Sequence, residues 1–342
     1  MSDAKQIVNV RSPLRVDFVG MTDYLPACEE FGGSIINATI NKYIYATARL
    51  RDDDMIVFNA PDQDDLRVEV ASADDLNPEG ELGLAQEIVR RFDLPSGVEL
   101  TTYSQMPGGA GLGSSSTIAT CIIAALNALT GYELTNHAMA QMAIDCETSA
   151  LRTTYGWQDQ YSPVTGGGVK YMRYWPEGRG HGVEIDPLPL SQAQLARLQR
   201  ALVVCYSGIS RPAGGILHAV AEGFARRDDQ VIESLKGMSK CADLMRVNLL
   251  EGKLDEVGRL LSEVWELHRQ LHPDVTNDRL EELYDLAMSE GAIGGRVCGA
   301  GGGGTLAFYC PPPVDYRVAR ALMEANAETF DVAIDTQGLI LW

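Results

Sequence analysis

Apolar and polar residues alternate through the early part of the chain. In "NVRSPLRVDFVG" (9–20), Val10, Leu14, Val16 and Phe18 follow the two-residue period of a half-buried strand. "NKYIYATARL" (41–50), "MIVFNA" (55–60) and "LRVEV" (66–70) are rich in β-branched and aromatic residues and predict three further strands. The pattern predicts a helix near 80–93 and a strand at "GVELTTYSQ" (97–105). Ser115 to Leu129 is apolar nearly all round, which predicts a buried helix ending near Gly131. "TNHAMAQMAIDCETSAL" (135–151) predicts a second helix, capped by Thr135 or Asn136. Strands are expected at "GGGVKYMRYW" (166–175) and "RLQRALVVCYSG" (197–208).

From about residue 215 the period becomes helical, with helices expected at 214–229, 230–252, 254–272 and 277–291. "IGGRVCGAGGGGTLAFYC" (293–310) reads as strand, glycine loop and strand. A helix near 315–327 and a strand at "GLILW" follow. The mixture is α+β. The stretch 187–194 is the expected junction between an N-terminal domain (1–190) and a C-terminal domain (191–342).

Composition narrows the function classes. The chain has 342 residues, enough for two domains, and 45% of them are hydrophobic. Its net charge of -19 repels nucleic acid and anionic membrane. No run of eighteen apolar residues is present, and "MSDAKQIVNV" lacks the apolar core of a signal peptide, so a cytoplasmic protein is expected. The seven cysteines are scattered and never form CxxC, which favours reduced, packed thiols. His137, His181, His218, His268 and His272 form no ligand cluster and read as structural or surface residues.

The chemistry concentrates in "PGGAGLGSSS" (107–116), directly before the buried helix. Gly108, Gly109, Gly111 and Gly113 allow positive φ and close backbone approach to a ligand. Ser114, Ser115 and Ser116 then begin a helix, whose first turn has unpaired N–H groups and a partial positive charge. A loop of exposed amides feeding that end forms a phosphate nest. The P-loop pattern fails because no lysine follows the glycines, and the dinucleotide pattern fails because a second helix follows the first.

Pro107 to Ser116 resembles the central motif of the GHMP kinases, P-x-x-x-G-L-G-S-S-[AST], with Ala110 and Leu112 among its positions. "RSPLRVDFVG" followed by "TDY" is similar to that family's N-terminal motif, and "GRVCGAGGGGTLAFY" to its C-terminal glycine motif. "PLRVDFVG", "GGSIINATINKYIY", "GWQDQY" and "TGGG" are similar to its D-glycero-D-manno-heptose 7-phosphate kinase branch, whereas Thr22-Asp23-Tyr24 is closer to galactokinase. The resemblance implies a two-lobed α+β fold. The N-terminal lobe would hold a mixed sheet with the nucleotide-binding helix on it. The C-terminal lobe would place helices over a small antiparallel sheet, with the cleft between the lobes.

It also implies roles. ATP would lie on 107–116, with Mg2+ held by Ser115 and Glu147. Asp159 would be the base, with Arg15 beside it near the transferring phosphoryl group. Thr22, Asp23 and Asn37 would meet the sugar, Gln158 and Gln160 would bond the sugar or fix Asp159, and Gly299 and Gly301 to Gly303 would line the cleft. Lys170, Arg173, Arg152 and Arg211 are candidate clamps for a second substrate phosphate. The expected reaction is transfer of the γ-phosphoryl group to the anomeric hydroxyl of a sugar phosphate, manno-heptose 7-phosphate first. A hexose or deoxyhexose 1-kinase is the nearest rival. A sensor without catalysis is disfavoured because Glu147 and Asp159 are both present. Expected partners are a small-molecule sugar or sugar phosphate and at most a second copy in a homodimer, with no nucleic acid and no membrane.

Overall fold

A computed structural model describes residues 7–151, 156–176, 182–210 and 214–342. The N-terminal half is built on an eight-stranded sheet. β1 (Ile7–Val19) is followed by α1 (Leu25–Phe31), the long β2 (Gly33–Leu50), β3 (Ile56–Ala60) and β4 (Leu66–Val70). α2 (Gly83–Arg90) and β5 (Val98–Ser104) lead to α3 (Ser114–Thr130), α4 (Asn136–Leu151), α5 (Gln158–Val164), β6 (Val169–Trp175) and β7 (Gly182–Pro187). β2 changes partner along its length: residues 33–38 pair with β6 and residues 44–50 with β5. That switch leaves a fork in the sheet, and α5 packs in it against β1 and β2.

The second half begins with α6 (Gln192–Ala201) and β8 (Leu202–Tyr206). The helices α7 (Gly214–Ala225), α8 (Asp229–Glu251), α9 (Leu254–Arg269) and α10 (Asp278–Ser289) precede β9 (Gly294–Val297) and β10 (Thr305–Tyr309). α11 (Val314–Glu324), β11 (Glu328–Phe330) and β12 (Ile340–Leu341) complete the chain. The second sheet has the order β11-β8-β10-β9 and is antiparallel throughout. α9 buries Val257, Leu261, Val264 and Trp265, and packs on β9 and β10. β12 does not join that sheet; it returns to pair with β1 at the edge of the first one.

The hydrophobic pattern located most elements to within a few residues. The expected strand at 197–208 is corrected. Residues 192–201 are helical, started by a capping box in which Ser191 and Gln194 bond reciprocally, and only Leu202–Tyr206 is strand. Thr135 caps α4 by accepting from the Ala138 N–H. The cysteines are free and buried. No helix among the described residues is long and apolar enough to cross a membrane.

Candidate active site

The site forms where β1, two glycine loops and α5 converge. Its register with β2 shifts between Pro13 and Arg15 and again between Asp17 and Val19. Such irregularities re-aim side chains that a regular strand would send to the two faces in turn. Arg15 and Asp17 lie between the shifts. The Arg15 backbone N–H donates to the Leu112 carbonyl at 3.2 Å, and its Nη1 donates to the Gly111 carbonyl at 2.5 Å. Strand and loop are thereby joined.

The loop 107–113 needs its glycines. Gly111 has φ +76°, and a Cβ there would lie 2.6 Å from the Cys298 carbonyl oxygen of the second glycine loop. Gly113, at φ +76°, opens α3 in the left-handed region, and no side chain caps the helix. The first-turn amides are therefore left for a ligand. Ala110 and Leu112 point into the core and hold the loop down. Beside it is a cavity of about 340 Å³ lined by Asp62, Gln63, Gln105, Met106, Pro107 and Ser114.

Two of the three serines converge on one carboxylate. Ser115 Oγ donates to Glu147 Oε1 at 2.8 Å and Ser116 Oγ to Oε2 at 2.7 Å. Gln160 Nε2 donates to the same Oε2 at 2.5 Å. Burial pushes the Glu147 carboxyl above its ordinary range, and these three bonds oppose the push. Gln160 Oε1 and Ser114 Oγ are buried without a partner.

Asp159 stands in the first turn of α5. Arg15 grips it with both ends of its fork, Nε to Oδ1 at 2.7 Å and Nη2 to Oδ2 at 2.8 Å. The contact joins residues 144 positions apart. The Arg15 guanidinium stays charged, because Asp159 and Asp17 outweigh the cost of its burial. A Cβ on Gly113 would lie 3.1 Å from the Asp159 carboxyl carbon, so this carboxylate sits directly over the start of α3. The glycine loop with its uncapped helix start, the carboxylate with its hydroxyls and the clamped carboxylate thus gather around the first turn of α3.

The family of GHMP kinases N-terminal domains matches residues 82–167, and that of GHMP kinases C-terminal domains matches 245–328. This chain is a GHMP kinase. It is similar to the D-glycero-alpha-D-manno-heptose 7-phosphate kinase of Campylobacter jejuni, 29% identical over 98% of both chains. It is also similar to the bifunctional fucokinase/GDP-fucose pyrophosphorylase of Arabidopsis thaliana, 28% identical over 95% of this chain and 32% of that one. A crystal structure described as a D-glycero-D-manno-heptose 1-phosphate kinase from Bacteroides thetaiotaomicron superposes with a TM-score of 0.80 at 26% identity, covering 98% of each chain. The kinase is a phosphotransferase with an alcohol acceptor, and GHMP kinases take the phosphoryl group from ATP.

The remaining residues expected on the kinase's sugar side fall into two groups. Asp23 and Gln158 are at the cleft: Asp23 Oδ2 accepts the Trp157 and Gln158 backbone N–H groups at 3.1 Å each, and Gln158 Nε2 donates to Asp159 Oδ1 at 3.2 Å. A Cβ on Gly156 would fall 2.0 Å from Asp23 Oδ2, so that glycine leaves room for the carboxylate. Burial, reinforced by the Asp159 charge, pushes Asp23 up to about 6. Thr22 and Asn37 lie in the wall behind. The Thr22 hydroxyl is spent on the Ser34 carbonyl, and Asn37 is fully buried against Gln158, Ser162 and Met172.

The second glycine loop divides likewise. Gly299 meets the first glycine loop, since a Cβ there would lie 3.1 Å from Gly111 Cα. Gly301 and Gly302 turn away: a Cβ on Gly301 would approach the Val275 carbonyl to 2.4 Å, and the Gly302 N–H already donates to that carbonyl at 2.7 Å. Gly303 backs onto the Ile209 carbonyl.

Of the candidate clamps, Lys170 is fully buried, with Nζ donating to the Ser162 carbonyl at 2.7 Å, and burial pushes it down to about 7. Arg173 stacks on Trp175 at 3.9 Å. Arg152 and Arg211 lie outside the described residues, as does His181. His137 bonds the Tyr161 hydroxyl, and buried His268 is pushed down to about 3. The cavity residues Asp62 and Gln63 were not anticipated; their signal is the polar hairpin turn "APDQDD" facing the loop.

Proposed function

We propose that this kinase transfers the γ-phosphoryl group of ATP to the anomeric hydroxyl of a sugar phosphate, D-glycero-D-manno-heptose 7-phosphate first, in the cytoplasm. The carrying observation is the Arg15–Asp159 clamp held over the first turn of α3 and beside Asp23. The heptose kinase similarity along both full chains supports the sugar. The nest amides hold the phosphates, and the 340 Å³ cavity beside Pro107 suits the base.

Asp159 accepts the hydrogen of the attacking hydroxyl on a lone pair that Arg15 leaves free, aiming that oxygen in line with the γ-phosphorus. Arg15 keeps the carboxylate in one orientation and offsets negative charge near the transferring group. Asp23 accepts from further sugar hydroxyls. Ser115 and Glu147 present hard oxygen donors that suit Mg2+, which takes one or two carboxylates and otherwise phosphate oxygens and water. The unpartnered Gln160 oxygen beside Glu147 fits a polar, water-containing shell there. Bound at these oxygens, Mg2+ would supply neutralisation of phosphate charge.

A second reading, a fucose-type 1-kinase, is favoured by one observation. Among the described residues, Lys170 and Arg173 are both engaged elsewhere and form no clamp for a second phosphate. An ADP-release assay over manno-heptose 7-phosphate, heptose, fucose and galactose separates the two, with product NMR locating the new phosphate. Turnover of the heptose phosphate at least about tenfold above the free sugars in kcat/KM supports the first reading, and the reverse order supports the second.

A further inference from the structure

Asp17 has no part in the chemistry above, yet it is among the most deeply enclosed charges in the molecule. Its side chain and that of Arg296 on β9 are both fully buried, and Arg296 Nη2 lies 3.4 Å from Asp17 Oδ2. Both Asp17 oxygens accept the Gly299 backbone N–H, at 3.2 and 3.3 Å. Burial opposes ionisation of Asp17, but Arg296, Arg15 and the Gly299 amide overcome it and hold the carboxyl below its usual range. On the far side, Arg296 Nε donates to the Val297 carbonyl, and Nη2 faces His268 Nδ1 at 3.4 Å. His268 is kept neutral by burial and by the Arg296 charge, so it can accept there. Cys298 completes the surroundings, its thiol pushed up by burial and by Asp17.

The fold makes room for this carboxylate. A Cβ on Gly20 would lie 2.0 Å from Asp17 Oδ2. The charges alternate along the seam: Asp159, Arg15, Asp17, Arg296. Gly299, the residue that Asp17 holds, is the one that meets Gly111 of the nucleotide loop. Arg15, two residues earlier on the same strand, holds that loop from the other side.

We infer that Asp17 is a positioning residue: backed by Arg296, it pins the Gly299 amide and so keeps the C-terminal glycine loop pressed against the nucleotide loop. It touches no reacting atom and acts through Gly299 and Gly111. A charge does this where a neutral acceptor would not, because Arg296 buried without its partner would seek another anion or water. This inference rests on the reading of 107–116 as the nucleotide loop.

The test is ADP affinity, by calorimetry with Mg2+, alongside thermal melting. Asp17→Asn is expected to weaken ADP binding by about tenfold or more. Asp17→Asn combined with Arg296→Gln removes both charges, and is expected to recover to within about threefold of wild type. Gly20→Ala, which displaces the carboxylate without altering any charge, is expected to weaken ADP as Asp17→Asn does and provides a second route if that variant fails to fold. A purely structural pair would lower the melting temperature while ADP affinity stayed within about twofold in every folded variant; that result, or a double variant no better than the single, overturns the inference. Absence of ADP binding by the wild-type protein would overturn the nucleotide-loop reading and this inference together. Binding of ADP without turnover of heptose phosphate would overturn the proposed sugar alone.

Discussion

Asp159 and Asp23 show how neighbouring carboxylates are given different surroundings. Asp159 has the guanidinium fork; Asp23 has two backbone amides and is pushed by burial up to about 6. Above that value the Asp23 carboxylate offers only acceptors, as the proposed contact with sugar hydroxyls requires; below it the carboxyl gains a proton and loses acceptor capacity. The KM for the sugar is therefore expected to rise as pH falls through about 6, with kcat changing less. The limb should vanish in Asp23→Asn; persistence there would assign it to another group. The types of these residues were visible in the sequence only through motif resemblance. Spacing cannot reveal that Arg15 meets a carboxylate 144 positions away. Asp17 and Arg296 escaped notice because each reads locally as an ordinary charge on a strand, and their burial depends on two sheets meeting.

At the level of elements, the glycine motif was the most legible part, since its composition states a backbone requirement. What the sequence did not disclose is where the two glycine loops touch: Gly111 against Cys298 and Gly299. Gly111→Ala tests that, with Gly131→Ala as a control: both sites have positive φ, but a Cβ at Gly131 meets open space. Gly131→Ala should cost about 1–2 kcal/mol of stability from the left-handed backbone alone, with ADP affinity unchanged. Gly111→Ala should show a larger loss and weaken ADP as well, because its Cβ also strikes the Cys298 carbonyl. Equal effects in melting and in ADP affinity would mean that the loops do not support each other. α5 was not anticipated; Pro163 lies inside it, and Pro usually ends a helix. Lys170 Nζ on the Ser162 carbonyl and the Leu339 N–H on the Pro163 carbonyl hold that short helix from outside. α6 was mistaken for strand although its Ser191–Gln194 box was readable; "ALVV" dominated the pattern.

Over the whole molecule, the sum of charges works against the proposed substrates. A net charge of -19 repels anions such as ATP and a sugar phosphate, and the proposed nest would attract phosphate through amides rather than through a surface rich in lysine. Raising salt from about 10 to about 150 mM shortens the range of that repulsion, so KM for ATP is expected to fall by about twofold or more. A rise in KM over that range would point instead to local cations governing capture. The two-lobed α+β architecture was implied by the family resemblance, but the return of β12 to β1 was not, because a two-residue strand carries no readable period. Asp159 is proposed to perform a chemical task rather than a binding one, and single-turnover phosphoryl transfer by Asp159→Asn separates the two. ADP affinity is expected to stay within about threefold of wild type while the transfer rate falls by about 10²-fold or more. A transfer rate within about threefold of wild type would rule out the chemical role.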